Sequence, residues 1–356
     1  MAPLDFHSYP LWLLIAIFSG AAVAVWIAGT KLSHYAGIIS DRAGIGQAVV
    51  GLILLGGITS RPEVATSTTA AWTGNAALAV NNILGGVAMQ VTVLAIGDLL
   101  FGRSALTGTL PRPHVVLQAA LSIVLLALVA AGIVVGDVML FGVGAWASAV
   151  LIAYFVTLHV AQSAEGRVVW TLREAEQMDL QERVASDGNK DQEKAGEEAP
   201  MSRVVSKIVA SAVTILVAGY LITRTGEALA EMTGLGQSFF GAVFIAICTS
   251  LPELSSVTSA LRIGREMLAI GDVLGGNLFD LALIFVIDAI YSGGPVLNEV
   301  GVFSAFAALL GIVLTTFYII GMIERRDRAV LRMGYDSLAV LVCYGVGLVL
   351  LYHLRP

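Results

Sequence analysis

The chain has 356 residues, 57% of them hydrophobic and 13% charged, with a formal net charge of −6 and a mean hydropathy of +0.85. An ordinary soluble domain carries about 25% charged residues, so the composition is that of a polytopic membrane protein, and no basic, aromatic-interleaved patch points to nucleic acid. Cys248 and Cys343 are the only cysteines and both sit inside apolar runs, which excludes a disulfide framework and a thiolate metal site.

Crossing the hydrocarbon core takes about 20 apolar residues in a helix. In chain order such runs read at 10 to 30, 45 to 72, 76 to 101, 114 to 136, 139 to 160, 204 to 223, 236 to 262, 266 to 291, 299 to 321 and 335 to 353, ten spans in all. The first lacks the basic start and small-residue cleavage site of a signal peptide and is expected to be a retained span. The second, third, seventh and eighth are rich in Gly and small polar residues, which puts their continuity as single helices in question. Between the fifth and sixth, residues 161 to 203 form a polar linker that could begin as a short helix and then becomes charged and Gly-containing. Its stretch "DGNKDQE" from Asp187 alternates acidic and amide residues as a calcium loop does, but Gln192 stands where that loop requires glycine, so it reads as solvated linker.

Basic residues gather in the loops of one side: Lys31, Arg42, Arg103, Arg112, the cluster from Arg167 to Lys207, Arg262, Arg265 and the arginines from Arg325 to Arg332. The other side keeps Arg224 and Arg355. Both termini are therefore expected outside and the linker in the cytoplasm.

A repeat emerges at long distance. "GIGQAVVGLILLGGITSRPE" from Gly44 aligns with "GLGQSFFGAVFIAICTSLPE" from Gly234, and Glu63 and Glu253 are 190 residues apart. The register continues without a gap through Thr68 and Thr258, Gly74 and Gly264, Leu84-Gly85-Gly86 and Leu274-Gly275-Gly276, and Asp98 and Asp288. The expected organisation is a first five-helix repeat over 1–160, the linker over 161–203 and a second repeat over 204–356. Five is odd, so the second copy enters the membrane from the opposite face. The fold class that follows is an all-α membrane protein of two inverted repeats, with broken helices and a substrate site at the midplane.

The matched "TSRPE" and "TSLPE" segments are where breaks are expected. Proline has no N–H to bond the carbonyl four residues earlier, so Pro62 frees that of Ile58 and Pro252 that of Cys248. Loosened backbone at membrane depth is tolerated where it is buried in protein or lines a wet cavity. Thr59, Ser60, Thr249 and Ser250 add hydroxyls, and Glu63 and Glu253 follow. A Gly-rich span in each copy contributes Gln90 and Asp280. Three carboxylates and an amide, with hydroxyl and carbonyl oxygens, suit a divalent cation. Asp98 and Asp288 lie near span ends and read as interfacial or structural. His7, His34, His114, His159 and His353 read as interfacial, and the scattered Trp and Tyr as anchors at the membrane borders.

These paired segments resemble the alpha repeats of the sodium/calcium exchanger family, within the cation/calcium antiporters. The resemblance is carried by "TSRPE", "LGG" and Gln90 in the first copy and by "TSLPE" and "GDVLGGNLFD" in the second. It implies antiport of calcium against sodium by alternating access. It places the cation on Glu63, Gln90, Glu253 and Asp280, with Thr59, Ser60, Thr249, Ser250 and backbone carbonyls near Gly56 and Ala246. Three departures stand out. Gly86 and Gly276 replace the serines that help hold sodium in the family, Val87 replaces one amide while Asn277 keeps the other, and Gln90 replaces asparagine or aspartate. Asp280 favours the sodium-type branch over the proton-coupled one.

Arg61, opposite Leu251 in the second copy, is the sharpest departure, since the family's residue there is generally small or apolar. It reads either as paired with an acid on a neighbouring span or snorkelling, or as a built-in cation swung into the site. No P-loop, His-type metal cluster or nucleophile with a base is present, so neither an ATP-driven pump nor an enzyme is expected. The only bound groups expected are transported Ca2+ and Na+ or H+; the expected partners are inorganic cations and the lipid of a prokaryotic inner membrane. Proton-coupled divalent cation antiport and an exchanger-derived cation sensor that does not transport remain alternatives.

Overall fold

A computed structural model describes residues 6–43, 60–101, 113–165, 201–262, 266–324, 329–330 and 333–355. Gly56, Thr59, the first part of the second expected span and most of the linker lie outside the described residues.

The described chain is almost wholly helical. The first half contains α1 (Leu11–Ala43), α2 (Arg61–Trp72), α3 (Ala76–Phe101), α4 (Pro113–Val135) and α5 (Ala145–Glu165). The second contains α6 (Met201–Thr233), α7 (Gln237–Thr249), α8 (Leu251–Arg262), α9 (Glu266–Ile290), α10 (Val302–Glu324) and α11 (Tyr335–Leu354). The starts of α1 and α6, α2 and α8, α3 and α9, and α5 and α11 are each 190 residues apart, the offset at which the sequence repeats.

Seven helices among the described residues are long and apolar enough to cross a membrane: α1, α3, α4, α6, α9, α10 and α11. The pair α7 and α8, bent by 42° where they join, is apolar enough to count as an eighth if the two form one span. The fifth expected span is a shorter apolar helix, because residues 139–144 are taken by a turn. There β1 (Met139–Leu140) and β2 (Val143–Gly144) pair antiparallel, and Phe141 and Gly142 both have positive φ, 53° and 88°, as a two-residue hairpin of the right twist requires. A second ribbon, β3 (Ala329–Val330) with β4 (Met333–Gly334), precedes α11 in the same way. These four short strands are the one departure from the all-α expectation. Two-residue strands carry no alternating pattern that a sequence reading could detect.

The centre of the molecule is the contact between α3 and α9, the two most buried spans. Around them α2 and α8 pack inside, α4, α5, α10 and α11 flank, and α1 lies along α6 to one side. The apolar outward residues of α1, among them Trp12, Ile15, Val23 and Ile27, are exposed as lipid-facing residues must be. Helix α2, "RPEVATSTTAAW", is too polar to be buried unless its hydroxyls are satisfied. They are: Thr66, Thr68 and Thr69 donate to the carbonyls of Pro62, Val64 and Ala65 four residues earlier.

Two aspartates tie the halves together reciprocally. Asp288 on α9 accepts the N–H groups of Gly144 (2.6 Å) and Val296 (2.5 Å), holding the hairpin before α5. Asp98 on α3 accepts the N–H of Gly334 (2.9 Å) and the hydroxyl of Ser337 (2.7 Å), holding the hairpin before α11. Gly144 and Gly334 are again 190 apart, so each aspartate fastens the equivalent hairpin of the other half. Both acids are thus structural, one of the two roles expected for them. Replacing Asp288 with Ala strands two buried N–H donors at about 1–3 kcal/mol each. The thermal unfolding temperature in detergent should fall clearly, and fall also for Asp98→Ala; unchanged values in both would show that the ties do not support the fold.

Candidate cation site

Helices α2 and α8 begin in the same manner. Ser60 (φ −77°, ψ 17°) and Ser250 (φ −83°, ψ 4°) leave helical geometry, and their carbonyls accept the N–H groups of Val64 (3.0 Å) and Leu254 (3.1 Å). Pro62 and Pro252 occupy the first turn, where a missing N–H costs nothing. Upstream of the second break, α7 contains a π-helical turn at Gly241–Ile245. Such turns hold one extra residue and frequently mark functional sites. The Ala246 carbonyl, expected to be a ligand, accepts Ser250 N–H at 3.0 Å and the Thr249 hydroxyl at 3.3 Å. The carbonyl that proline deprives of its helical N–H in this half is that of Cys248.

Glu63 and Glu253 lie in the first turns of α2 and α8, and Gln90 and Asp280 lie midway along α3 and α9. All four side chains are buried, at 0%, 3%, 1% and 0% exposure respectively. The Gln90 amide donates from Nε2 to Asp280 Oδ2 at 2.8 Å. These two residues are 190 apart in sequence, the same offset that separates four pairs of helix starts. Glu63, Glu253 and Asp280 are close enough to act on one another electrostatically. The Thr249 hydroxyl stands beside Glu63 and the Ser60 hydroxyl beside Asp280, each across the divide between halves. Among the described residues, both oxygens of Glu63, both of Glu253, Oδ1 of Asp280, Oε1 of Gln90 and the Ser60 and Ser250 hydroxyls have no hydrogen-bond partner. The acids are neighbours and not a closed cage: among the described residues no three His, Cys, Asp or Glu converge on one metal position.

Arg61 opens α2, and its Nη1 is screened from solvent without a partner. Among the described residues it forms no ion pair with any of these acids, so neither pairing with them nor insertion among them is observed. Other polar groups line the same region and were not legible as site residues. Tyr154 on α5 is buried within electrostatic reach of Asp280, and its equivalent, Tyr344 on α11, donates to Met89 Sδ at 3.6 Å, next to Gln90. Both were expected at the membrane borders. Their 190-residue separation was the available signal. Asn277 is fully buried with neither amide atom bonded, and Gln118 on α4 comes up against Gly275.

Uncompensated carboxylates at bilayer depth cost several kcal/mol, and unpartnered oxygens of mixed type are the ligand chemistry of hard cations. The model of the sodium/calcium exchanger protein family matches residues 12–164 and 204–354, most of the chain outside the linker. The chain belongs to the sodium/calcium exchanger family. The inner membrane protein YrbG of Escherichia coli K12 is 25% identical over 287 residues, 80% of this chain and 82% of that protein. The sodium/calcium exchanger MaX1 of Methanosarcina acetivorans is 27% identical over 150 residues, 41% of this chain and 43% of that one. In fold, the chain is similar to the sodium-calcium exchanger NCX_Mj, with a TM-score of 0.59 over 96% of this chain and 99% of that chain at 14% identity. It is also similar to the H+/Ca2+ exchanger CAX, with a TM-score of 0.67 over 99% and 87% at 13% identity. As a member of this family the chain is a multi-pass integral membrane protein of the cation/calcium exchanger type, a class of transporters and not of enzymes.

Two adjacent glycines in α3 have opposite surroundings. A Cβ on Gly85 would stand 2.1 Å from the Ala242 carbonyl oxygen, in the π-helical turn of α7, whereas a Cβ on Gly86 would meet nothing within 4 Å. Gly85→Ala should therefore separate α3 from α7 and abolish a monodisperse size-exclusion peak, and Gly86→Ser should keep that peak. Equal behaviour of the two would show that this backbone contact is not maintained.

Proposed function

We propose that this protein is a secondary antiporter that exchanges calcium for sodium by alternating access. The observation that carries this reading is a set of equivalent residues from the two halves, Glu63 with Glu253 and Gln90 with Asp280. They meet in the buried centre with most of their oxygens unpartnered. Calcium, as substrate, would take the carboxylate oxygens of Glu63, Glu253 and Asp280 and the Gln90 carbonyl, aided by Thr59, Ser60, Thr249 and Ser250. Backbone carbonyls would come from near Gly56 and from the strand of α7 between Ala246 and Cys248.

The proposed frame is ten spans in two inverted five-helix repeats, 1–160 and 204–356, joined by a cytoplasmic linker over 161–203. The recurrence of helix starts at one offset and the reciprocal aspartate ties support it. Both termini face outward in this topology, and the membrane is a prokaryotic inner membrane, as the name of the Escherichia coli relative states for that protein. The halves would move against one another about the broken helices, exposing the acids to each side in turn.

A second reading, calcium exchanged for protons, is favoured by two observations. Gly86 and Gly276 bring no hydroxyl where the family's serines help hold sodium, and the fold is also similar to that of an H+/Ca2+ exchanger. The discriminating experiment is radiolabelled calcium flux in proteoliposomes under an imposed sodium gradient or an imposed pH gradient. Sodium-driven flux is the expected result; flux driven by the pH gradient alone would replace sodium with protons. In either case Glu63→Gln, Glu253→Gln and Asp280→Asn should each weaken calcium binding at least about a hundred-fold, which is ~2.8 kcal/mol at 1.4 kcal/mol per ten-fold. Calcium affinity unaltered in all three would remove them from the site. No flux under either gradient, with binding retained, would mean that the protein senses a cation and does not move it.

A further inference from the structure

One acid near the site is not used by the family pattern. Asp272 lies on α9, eight residues and about 12 Å of helix rise before Asp280. Its Oδ2 accepts the hydroxyl of Ser256 at 2.7 Å, and its Oδ1 is screened from solvent with no partner among the described residues. Ser256 is on α8, three residues past Glu253, and Asp272 is close enough to act electrostatically on Glu253. Glu253 is itself 3% exposed with both oxygens unpartnered. Gly276, four residues from both Asp272 and Asp280, presents only a hydrogen on the face between them. Counted from the Arg262 end of the α8 and α9 pair, the carboxylates come in the order Asp272, Glu253, Asp280.

The equivalent place in the first half carries no charge, although the Asn82 Oδ1 is likewise without a partner among the described residues. Asn82 stands where the second half has Asp272, and Thr66 stands where it has Ser256. The Asn82 Nδ2 donates to Thr66 Oγ1 and to Ser67 Oγ, both at 2.9 Å. An amide that donates twice makes a neutral clasp between α2 and α3. A carboxylate cannot donate, so it accepts one hydroxyl and keeps a free oxygen. Related positions are therefore neutral in one half and acidic in the other.

We propose that Asp272 and Glu253 form a second cation station, on the Arg262 side of the central ligands, that receives a partly hydrated divalent cation passing between that face and Asp280. The proposal rests on the exchanger reading above, including the assignment of the Arg262 end to the cytoplasm. It predicts a functional asymmetry between the two faces, since the opposite half offers an amide and no charge at the related place.

The test is calcium transport in vesicles of defined orientation, with KM measured separately for calcium presented at each face. Asp272→Asn reproduces the residue type of the first half and leaves an oxygen for Ser256. It should raise KM at the cytoplasmic face at least about five-fold more than at the opposite face, and Asp272→Glu should restore most of the loss. Ser256→Ala, which unpins the carboxylate without removing it, should shift KM on the same face and covers the case in which Asp272→Asn does not fold. Glu253→Gln serves as the control that abolishes flux. Wild-type flux with equal KM changes at both faces, or with none, overturns the second station and leaves the exchanger reading standing. Absence of wild-type calcium flux under any gradient overturns both.

Discussion

A carboxylate carried into the hydrocarbon layer has no water to offset its charge, and in this chain several are placed together with most of their oxygens unpartnered. The polar backbone around them meets the same constraint by other means. The hydroxyls of α2 turn back on their own helix. The prolines sit in the first turn, where no N–H is owed. Gly85 lets α3 rest against the α7 backbone directly. Among the described residues the remaining free oxygens belong chiefly to the acids and to hydroxyls and amides near them, which is where a cation substrate can supply what the protein withholds.

Much of this plan was readable in the residues because it is written twice. One offset of 190 picked out the TSRPE and TSLPE segments, the Gly-rich spans and the Gln90 and Asp280 pair, and four pairs of helix starts obey it. What escaped the sequence escaped for identifiable reasons. Helices α1 and α6 run 33 residues each, beyond the apolar windows at 10–30 and 204–223, because helix geometry continues through polar residues that end a hydropathy window. The hairpins before α5 and α11 are too short to leave a pattern. Tyr154 looks in sequence like any tyrosine in an apolar run, and only the packing of α5 against α9 brings it near Asp280. Arg61 was legible as an anomaly, but its surroundings came only from the structure.

The departures from equivalence carry as much information as the equivalences. Gln90 faces Asp280, Asn82 corresponds to Asp272, and Val87 corresponds to Asn277. In each pair the second half is the more polar or the more acidic. Packing treats the halves alike and charge does not, so a site built from related parts need not bind or release its cation identically toward the two faces.

The exchanged hairpins bear on how such a chain arises. Asp98 holds Gly334 and Asp288 holds Gly144, so each half leaves a backbone amide for the other to satisfy. In a pair of identical single units these would be one bond made twice by the same aspartate. Joined in one polypeptide, the two copies keep that bond while gaining freedom to diverge elsewhere. Ties that run both ways in this manner leave neither hairpin dependent on its own half of the chain for closure.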